Sequence, residues 1–189
     1  MSPAEPKLFV ISGPSGAGKG TLVARVREQV PNLGLTVSAT TRAPRAGEVD
    51  GVNYYFLTDE EFTRRVEAGE FVEWAQVHDH RYGTLSSEVE RNLATGHSLI
   101  LEIDVQGALN VQKRFPEAVL IFIEPPSLDV LRKRLVGRGS ETPASLKLRL
   151  ADAEREMGLV DRYDEVVVND DLERATADLL AVLTRHERN

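Results

Sequence analysis

The segment ISGPSGAGKGT, from Ile11 to Thr21, contains four glycines and one lysine directly after a short apolar run. Four residues separate Gly13 from Gly18, and Lys19 follows at once, which is the spacing of a phosphate-binding loop. In such a loop the backbone N–H groups and the start of the next helix bind a phosphate, and the lysine reaches the outer phosphates. A chance match is disfavoured because this loop joins a predicted strand to a predicted helix.

The residue after the loop lysine departs from the strict motif. That motif has Ser or Thr there as a magnesium ligand, whereas this chain has Gly20 followed by Thr21. We therefore expect magnesium to be held mostly by phosphates and water, with Thr21 as the nearest hydroxyl. The predicted nucleotide-binding loop comprises Gly13, Pro14, Ser15, Gly16, Ala17, Gly18, Lys19, Gly20 and Thr21.

A second candidate site lies in the segment SATTRAPRAGEVDGVNYYF, which begins at Ser38. Arg42 and Arg45 stand three residues apart in a stretch whose prolines and glycines predict a loop, and Tyr54 follows. Two guanidinium groups and a phenol suit a dianionic phosphate, since guanidinium binds phosphate oxygens in pairs. The spacing alone leaves a solvated loop with incidental arginines equally open.

The composition of the whole chain limits the classes of function. Its 189 residues suit one domain of ordinary size, and the net charge of −7 argues against a general nucleic-acid or anionic-membrane binder. The absence of cysteine excludes disulfides, iron–sulfur clusters and thiolate zinc sites. We find neither an export signal nor an apolar run of about 18 residues, so the protein is expected to be cytoplasmic, without a membrane span.

One segment carries a positive net charge although the chain as a whole is acidic. Residues 130–150 contain six cations and a single anion, Glu141, for a local charge of +5. A solvated helix face normally interleaves acids with bases as i,i+4 partners, and here the acids are missing. The segment is therefore predicted to bind an anionic ligand. Its cations are Arg132, Lys133, Arg134, Arg138, Lys147 and Arg149.

The apolar pattern predicts an α/β fold in which helices cover both faces of a parallel sheet, since strand-like runs alternate with helix-like stretches. Two insertions interrupt this alternation. Residues 40–95 are predicted to form a small α+β unit with a helix at Asp59–Ala68, and residues 129–157 to form two helices. The predicted strands are Leu8–Ser12, Thr36–Ser38, Ser98–Ile103, Val119–Ile123 and Val166–Val168, and the last helix covers residues 172–186.

Five segments together resemble the guanylate kinase family, whose members phosphorylate GMP with ATP. They occur in the family's order and spacing from about Lys7 to Leu183, and they read GPSGAGKGT, TTRAPRAGEVDGVNYYF, EFVEWAQVHDHRYGT, LEIDVQGA and RLVGRGSET. The resemblance implies a single phosphate-loop kinase domain with ATP and Mg²⁺ as cofactors, GMP as substrate and no obligate protein partner. It divides the chain into a core (7–39, 96–128 and 158–189), a GMP-binding insertion (40–95) and a lid (129–157).

Carried over position by position, the resemblance implies two groups of GMP-binding residues. Those for the phosphate are Arg42, Arg45, Tyr54 and Tyr82, and those for the guanine are Ser38, Glu73, Thr84 and Asp104. The chemistry agrees, because guanine presents N1–H and N2–H₂ donors along one edge and ionised carboxylates only accept hydrogen bonds. From the residues alone, Glu73 could equally be solvated at a strand edge, and Asp104 could cap a helix.

The remaining implied roles concern ATP and phosphoryl transfer. Glu102 ends a predicted strand beside the loop, where the resemblance implies an acid that reaches Mg²⁺ through water, with Thr21 as the second metal-side group. Asn169 matches a residue near the adenine ring. The positive field around the transferred phosphate is assigned to Lys19, Arg42 and the lid arginines Arg134, Arg138 and Arg149.

Three other interpretations are less favoured. A catalytically silent guanylate-kinase-like module for protein binding typically loses its loop glycines or lysine, and here Lys19 is present. A kinase for AMP or a pyrimidine nucleotide fits poorly with carboxylates at Glu73 and Asp104. A metal site at His78–Asp79–His80 is disfavoured because such a pair of histidines in a polar turn is usually solvated.

Overall fold

The computed structural model describes residues 5–77, 79–137 and 143–188, which form two β-sheets surrounded by α-helices. The helices are α1 (Lys19–Gln29), α2 (Asp59–Glu67), α3 (Ser86–Leu93), α4 (Val105–Arg114), α5 (Leu128–Val136), α6 (Pro143–Met157) and α7 (Leu172–Glu187), with a 3₁₀ turn at Val160–Arg162. The strands are β1 (Leu8–Ser12), β2 (Gly34–Leu35), β3 (Ala39–Thr40), β4 (Tyr55–Phe56), β5 (Phe71–Val77), β6 (His80–Leu85), β7 (Leu99–Glu102), β8 (Val119–Glu124) and β9 (Glu165–Val168).

The larger sheet is parallel throughout, with the strand order β2-β7-β1-β8-β9. On one face, Phe9 and Ile11 of β1 pack in a cluster with residues of α1 and α7. On the other face, Val10 of β1 packs in a cluster with residues of α4. Burial on both faces explains the continuous apolar runs in the sequence, and it confirms the predicted α/β class.

The strand order brings the candidate chemistry to one edge of this sheet. Strand β1 lies between β7 and β8, so the loop after Ser12 and the residues after Glu102 meet at the carboxyl ends of neighbouring strands. Ligands of open α/β sheets bind at this edge. Gly13, at φ 143°, passes so close to β8 that a Cβ there would lie 2.3 Å from the carbonyl oxygen of Ile123.

The smaller sheet has the order β4-β3-β6-β5 and carries α2 on one face. Phe62 of α2 stacks on Phe71 of β5, with ring centroids 4.4 Å apart. The Thr58 side chain caps α2 by accepting a hydrogen bond from the Glu61 N–H at 3.1 Å. The helix predicted at Asp59–Ala68 is therefore present and ends one residue early.

The prediction of a strand at Thr36–Ser38 is wrong. Strand β2 ends at Leu35 and β3 begins at Ala39, so the predicted strand is the connection between the two sheets. The Thr36 N–H still donates to Ile100 O of the larger sheet at 3.1 Å, while Ser38 O accepts from Tyr55 N of the smaller sheet at 2.9 Å. The segment therefore forms hydrogen bonds of the kind found in a strand, but it divides them between the two sheets.

The described part of the basic segment lies on α5 and α6, where Leu131 and Leu135 of α5 are buried against Ala153 of α6. Leu146 and Leu150, also on α6, pack against this cluster. Arg138, predicted to act in catalysis, lies outside the described residues. Within the described ranges, no helix combines the length and apolarity required to cross a bilayer.

Candidate nucleotide-binding site

The glycine-rich loop ends at the start of α1, where Gly18 occupies the N-cap position and supplies no capping side chain. The first N–H groups of α1 therefore lack a capping acceptor and point toward the loop, as anion binding requires. Lys19 is folded back into the loop, where its Nζ donates to the carbonyl oxygens of Gly13 at 2.6 Å and Pro14 at 3.1 Å. A phosphate entering the loop thus meets an ammonium group that is already inside it.

Beside the loop lies a cavity of about 400 Å³, bounded by Gly16, Gly18, Thr21, Arg134, Asn169, Asp170 and Leu172. The buried Asn169 amide donates from Nδ2 to the carbonyl oxygen of Ala17 at 2.7 Å, which joins the end of β9 to the loop. Arg134 of α5 donates to Asn169 O at 2.8 Å and to Ala17 O at 3.4 Å. Two predicted ATP-binding residues therefore meet at the wall of one cavity of suitable size for a base.

The candidate metal-side residues lie on two sides of α1. Thr21 is exposed and borders the cavity just described, whereas the Glu102 carboxylate faces Gly20, with Oε1 3.6 Å from the position of a Cβ there. Burial raises the pKa of Glu102, and the positive charge of Lys19 opposes that rise. Among the described residues, no group of three or more His, Asp or Glu side chains is arranged so that it could hold a metal ion. Within the part of the chain that the structure describes, the metal side of the site is thus represented by the half-buried carboxylate of Glu102.

Arg42 lies at the centre of a compact polar cluster on the smaller sheet. Its guanidinium donates to both carboxylate oxygens of Glu48, from Nη1 at 3.0 Å and from Nη2 at 2.8 Å, and lies 5.3 Å from the ring centroid of Tyr54. The Tyr54 and Tyr82 rings pack edge to face at 6.1 Å. The backbone N–H of Arg45 also donates to Glu48, at 2.7 Å. The structure thus brings Arg42, Tyr54 and Tyr82 together, and it adds Glu48, which the sequence analysis missed, as the partner of Arg42.

Glu73 and Asp104 approach each other over Gly107, although they are far apart in the chain. A Cβ on Gly107 would lie 3.1 Å from Glu73 Oε2 and 3.2 Å from Asp104 Oδ1, so a side chain there would press on both carboxylates. The Thr84 hydroxyl donates to Glu73 Oε1 at 2.9 Å. Asp104 caps α4 by accepting from Gly107 N at 2.6 Å with one oxygen, so the helix-cap interpretation is correct and leaves the second oxygen for a ligand.

The surroundings of Glu73 differ from those of a solvated acid. It is only 9 % exposed, which excludes the alternative of a solvated strand edge. Burial raises its pKa to about 7, the hydrogen bond from Thr84 partly offsets the rise, and the negative charge of Asp104 adds to it. A buried carboxyl group whose pKa lies near 7, beside a second carboxylate, is typical of a ligand-binding site rather than of a structural ion pair.

Comparison with known proteins gives the family of this chain. The sequence profile described as guanylate kinase matches residues 5–186, nearly the whole described chain. The chain belongs to the guanylate kinase family. It is 51 % identical over 176 residues to the guanylate kinase of Caldanaerobacter subterraneus subsp. tengcongensis, which is 93 % of this chain and 85 % of that protein. It is 47 % identical over 182 residues to the guanylate kinase of Thermotoga maritima, covering 96 % and 87 % of the two chains.

Solved structures agree with this membership. The crystal structure of guanylate kinase from Anaplasma phagocytophilum matches with a TM-score of 0.77 at 33 % identity, covering all of this chain and 90 % of that one. Shikimate kinase from Bacteroides thetaiotaomicron matches with a TM-score of 0.52 at 18 % identity, covering 94 % and 98 %. The second likeness concerns the fold alone.

Two further residues carried over from the guanylate kinase family lie on other parts of the described structure. Ser38 is half-buried in the connection between the sheets, and Arg149 is half-buried on α6. Glu48 and Gly107 were missed by the sequence analysis. Glu48 had a signal, an acid shortly after two arginines, and Gly107 had another, a glycine within the first turn of a helix.

Proposed function

We propose that this guanylate kinase family member transfers the γ-phosphoryl group of ATP to GMP, giving ADP and GDP. The observation that carries the proposal is the joining of a phosphate loop to a set of acceptors, buried Glu73 and Thr84 beside exposed Asp104, in one chain of that family. The loop accounts for a nucleoside triphosphate, and the acceptors account for a base with two neighbouring donor groups, such as N1–H and N2–H₂ of guanine.

GMP would bind at the two clusters around Arg42 and Glu73. Guanine N1–H and N2–H₂ would donate to Glu73 and to the second oxygen of Asp104. The phosphate would bind at Arg42, Arg45, Tyr54 and Tyr82. Glu48 holds the Arg42 guanidinium in place before any phosphate arrives, which reduces the entropy lost on binding.

ATP binding requires a local rearrangement of Lys19. Its ammonium would exchange the carbonyl oxygens of Gly13 and Pro14 for the β- and γ-phosphate oxygens. The adenine would enter the cavity at Asn169 and Arg134. Because the α5–α6 pair carries the basic segment, we propose that it acts as the lid that closes on the triphosphate and excludes water.

The chemistry demands charge stabilisation rather than a base. The acceptor phosphate of GMP is already ionised near neutral pH, so the enzyme must hold two anions in line while negative charge spreads over the transferred group. Lys19, Arg42 and the lid arginines would supply the opposing charge. Mg²⁺, when bound to the phosphates with Glu102 nearby, would neutralise further charge, and the single carboxylate suits a contact through water.

The proposal is tested by offering ATP with GMP, AMP, UMP or CMP and measuring ADP formation in a coupled assay. We expect turnover with GMP and rates lower by about 10⁴ in kcat/KM with the other three, as buried polar pairing permits. Comparable rates with AMP would overturn the guanine assignment. Failure with all four nucleotides would overturn phosphoryl transfer and favour the binding-module interpretation.

GMP affinity should increase with pH through the titration of Glu73. With its pKa near 7, about one tenth of the carboxyl is ionised at pH 6 and about nine tenths at pH 8. The protonated carboxyl carries an O–H donor that would face a guanine donor, so affinity should rise about tenfold over this interval, in proportion to the ionised fraction. Calorimetry of GMP binding at pH 6, 7 and 8 measures the change.

Glu73→Gln provides the control for this pH series, because GMP itself titrates near pH 6 through its phosphate. The variant keeps the phosphate titration and loses that of the carboxyl. Wild type should therefore gain about tenfold more affinity than the variant between pH 6 and 8. Parallel pH curves for the two proteins would contradict the raised pKa as the cause.

A further inference from the structure

A buried carboxylate outside the candidate site, Glu88 of α3, joins three parts of the chain. It is 4 % exposed and uses both of its oxygens. Oε1 accepts from the Val37 N–H at 3.1 Å and from Asn92 Nδ2 at 3.1 Å. Oε2 accepts from the Tyr55 hydroxyl at 2.9 Å and from Arg91 Nη2. Two of these partners belong to α3 itself, and the other two lie 51 and 33 residues away in sequence.

The bond to Val37 lies where the chain passes from one sheet to the other. Thr36 still bonds to β7 of the larger sheet, and Ser38 bonds to β4 of the smaller one. Val37 therefore lies between two ladders, and its N–H would be left without a sheet acceptor. The Glu88 carboxylate supplies the acceptor that a neighbouring strand would otherwise provide for this N–H. Since Ser38 is the next residue, this bond also orients a residue proposed to contact guanine.

The bond to Tyr55 ties the smaller sheet to α3. Tyr55 lies on β4, and its hydroxyl donates to Glu88 while accepting from Arg91 at 2.8 Å. Tyr54, its neighbour in the chain, packs against Arg42 and Tyr82 in the proposed phosphate cluster. Because successive side chains of an extended segment point in opposite directions, anchoring Tyr55 sets the direction of Tyr54.

The surroundings of Glu88 indicate that these contacts are costly to lose. Hydrogen bonds to a charged group are stronger than those between neutral groups, and a buried polar group left without its partner is heavily penalised. The cation in the cluster, Arg91, has a side chain that is 66 % exposed, so it adds little by itself. The neutral donors at Val37 and Tyr55 therefore carry the connection between the elements.

We propose that Glu88 is a positioning residue for GMP, which sets the smaller sheet against the larger one by holding Val37 and Tyr55 together. It touches neither nucleotide. Through these two bonds it places Ser38 for the guanine and Tyr54 for the phosphate. The inference rests on the proposed function, because it concerns how the GMP side of that reaction is built.

The test compares Glu88→Gln and Tyr55→Phe, alone and combined, with the matched control Glu90→Gln, which makes the same change at an exposed residue of the same helix. In Glu88→Gln the side-chain carbonyl can still accept from Val37, but the amide nitrogen cannot accept from Tyr55. We expect Glu88→Gln to raise the KM for GMP about tenfold and Tyr55→Phe to raise it about fivefold, as expected for lost bonds to a charged group. The double variant should add little to Glu88→Gln.

The KM for ATP and the kcat at saturating GMP should stay within about twofold of wild type in all variants, as should every constant of Glu90→Gln. A lower melting temperature with an unchanged KM for GMP would overturn the proposal and leave Glu88 with a structural role alone. Equal increases in both KM values would also overturn it, as would additive effects in the double variant. If Glu88→Gln does not fold, Tyr55→Phe still decides the outcome.

Calorimetry of GMP binding to the same proteins separates this proposal from the proposed function. Should wild type bind GMP without transferring phosphate, phosphoryl transfer would be excluded, and the loss of GMP affinity in Glu88→Gln would still support the positioning role. Unchanged GMP affinity in both single variants would overturn that role. Should wild type fail to bind GMP at all, both proposals would be overturned together.

Discussion

Replacing Lys19 with alanine is expected to lower kcat by at least about 10²–10³, the usual cost of removing one group that stabilises a transition state electrostatically. In the structure, the Lys19 ammonium already lies inside the phosphate loop, against the carbonyl oxygens of Gly13 and Pro14. On binding ATP it would turn to the outer phosphates, where charge accumulates during transfer. Turnover in a coupled assay measures the loss.

GMP binding should survive this substitution, because the role proposed for Lys19 concerns the triphosphate rather than the cluster at Arg42 or the acceptors at Glu73. Calorimetry should give a GMP dissociation constant within about twofold of wild type, since distant sites are usually independent. Arg25→Ala is the matched control, as it removes a cation from the exposed face of the same helix. Near-normal turnover in Lys19→Ala would show that the loop does not act on the triphosphate.

Glu73→Gln is expected to lower kcat/KM for GMP by about one to three orders of magnitude. The scale is that of a charge-assisted hydrogen bond, roughly 1.5–3 kcal/mol, together with the misplaced amide donor. Rejection of AMP should weaken in the same variant, since the new N–H₂ can donate to the bare N1 of adenine. The measurement is kcat/KM for both nucleotides, in wild type and variant.

Arg45→Ala supplies the contrast that makes the Glu73 result specific. A residue that binds only the phosphate serves any nucleoside monophosphate, so its loss should lower kcat/KM for GMP and AMP by the same factor. The GMP-to-AMP ratio should therefore fall in Glu73→Gln and stay constant in Arg45→Ala. A constant ratio in both variants would remove the guanine-reading role from Glu73.

Glu73→Gln should also be more stable than wild type at alkaline pH. The folded-state pKa of Glu73 lies near 7, above the unfolded value of 4.5, because burial disfavours the charge. The unfolded state therefore loses its proton first, and wild-type stability falls as pH rises from about 4.5 through 7. The amide of the variant has no charge to bury, so Glu73→Gln should gain on the order of 1–3 kcal/mol at pH 8 and little at pH 4.5.

Urea unfolding at the two pH values measures this gain. Glu67→Gln, at an exposed residue of α2, is the matched control and should show no comparable dependence. A stabilised but less specific Glu73→Gln would mean that the protein sacrifices stability for guanine recognition, as binding sites commonly do. Equal stability of variant and wild type at pH 8 would contradict the burial cost.

The sequence by itself predicted those features that depend on neighbours in the chain. The phosphate loop, with β1 before it and α1 after it, follows from an apolar run, spaced glycines and helical periodicity. The parallel sheet follows in the same way, because strands buried on both faces must be apolar at every position. The roles proposed for Glu73, Thr84 and Asp104 came from a resemblance to a family, since nothing local distinguishes these residues from solvated or capping ones.

Only the tertiary structure decided how distant segments combine. It placed Glu73 and Asp104 over Gly107, and a pKa near 7 results from that burial and proximity rather than from either local sequence. It also showed that Thr36–Ser38 connects the two sheets. The sequence of this segment has the pattern of a strand, but the segment does not form one. Glu88, 51 residues from Val37, accepts the hydrogen bond of the Val37 N–H there. A hydrogen bond of this kind depends on how distant segments are placed in the folded protein. The order of residues along the chain does not show which of them will meet.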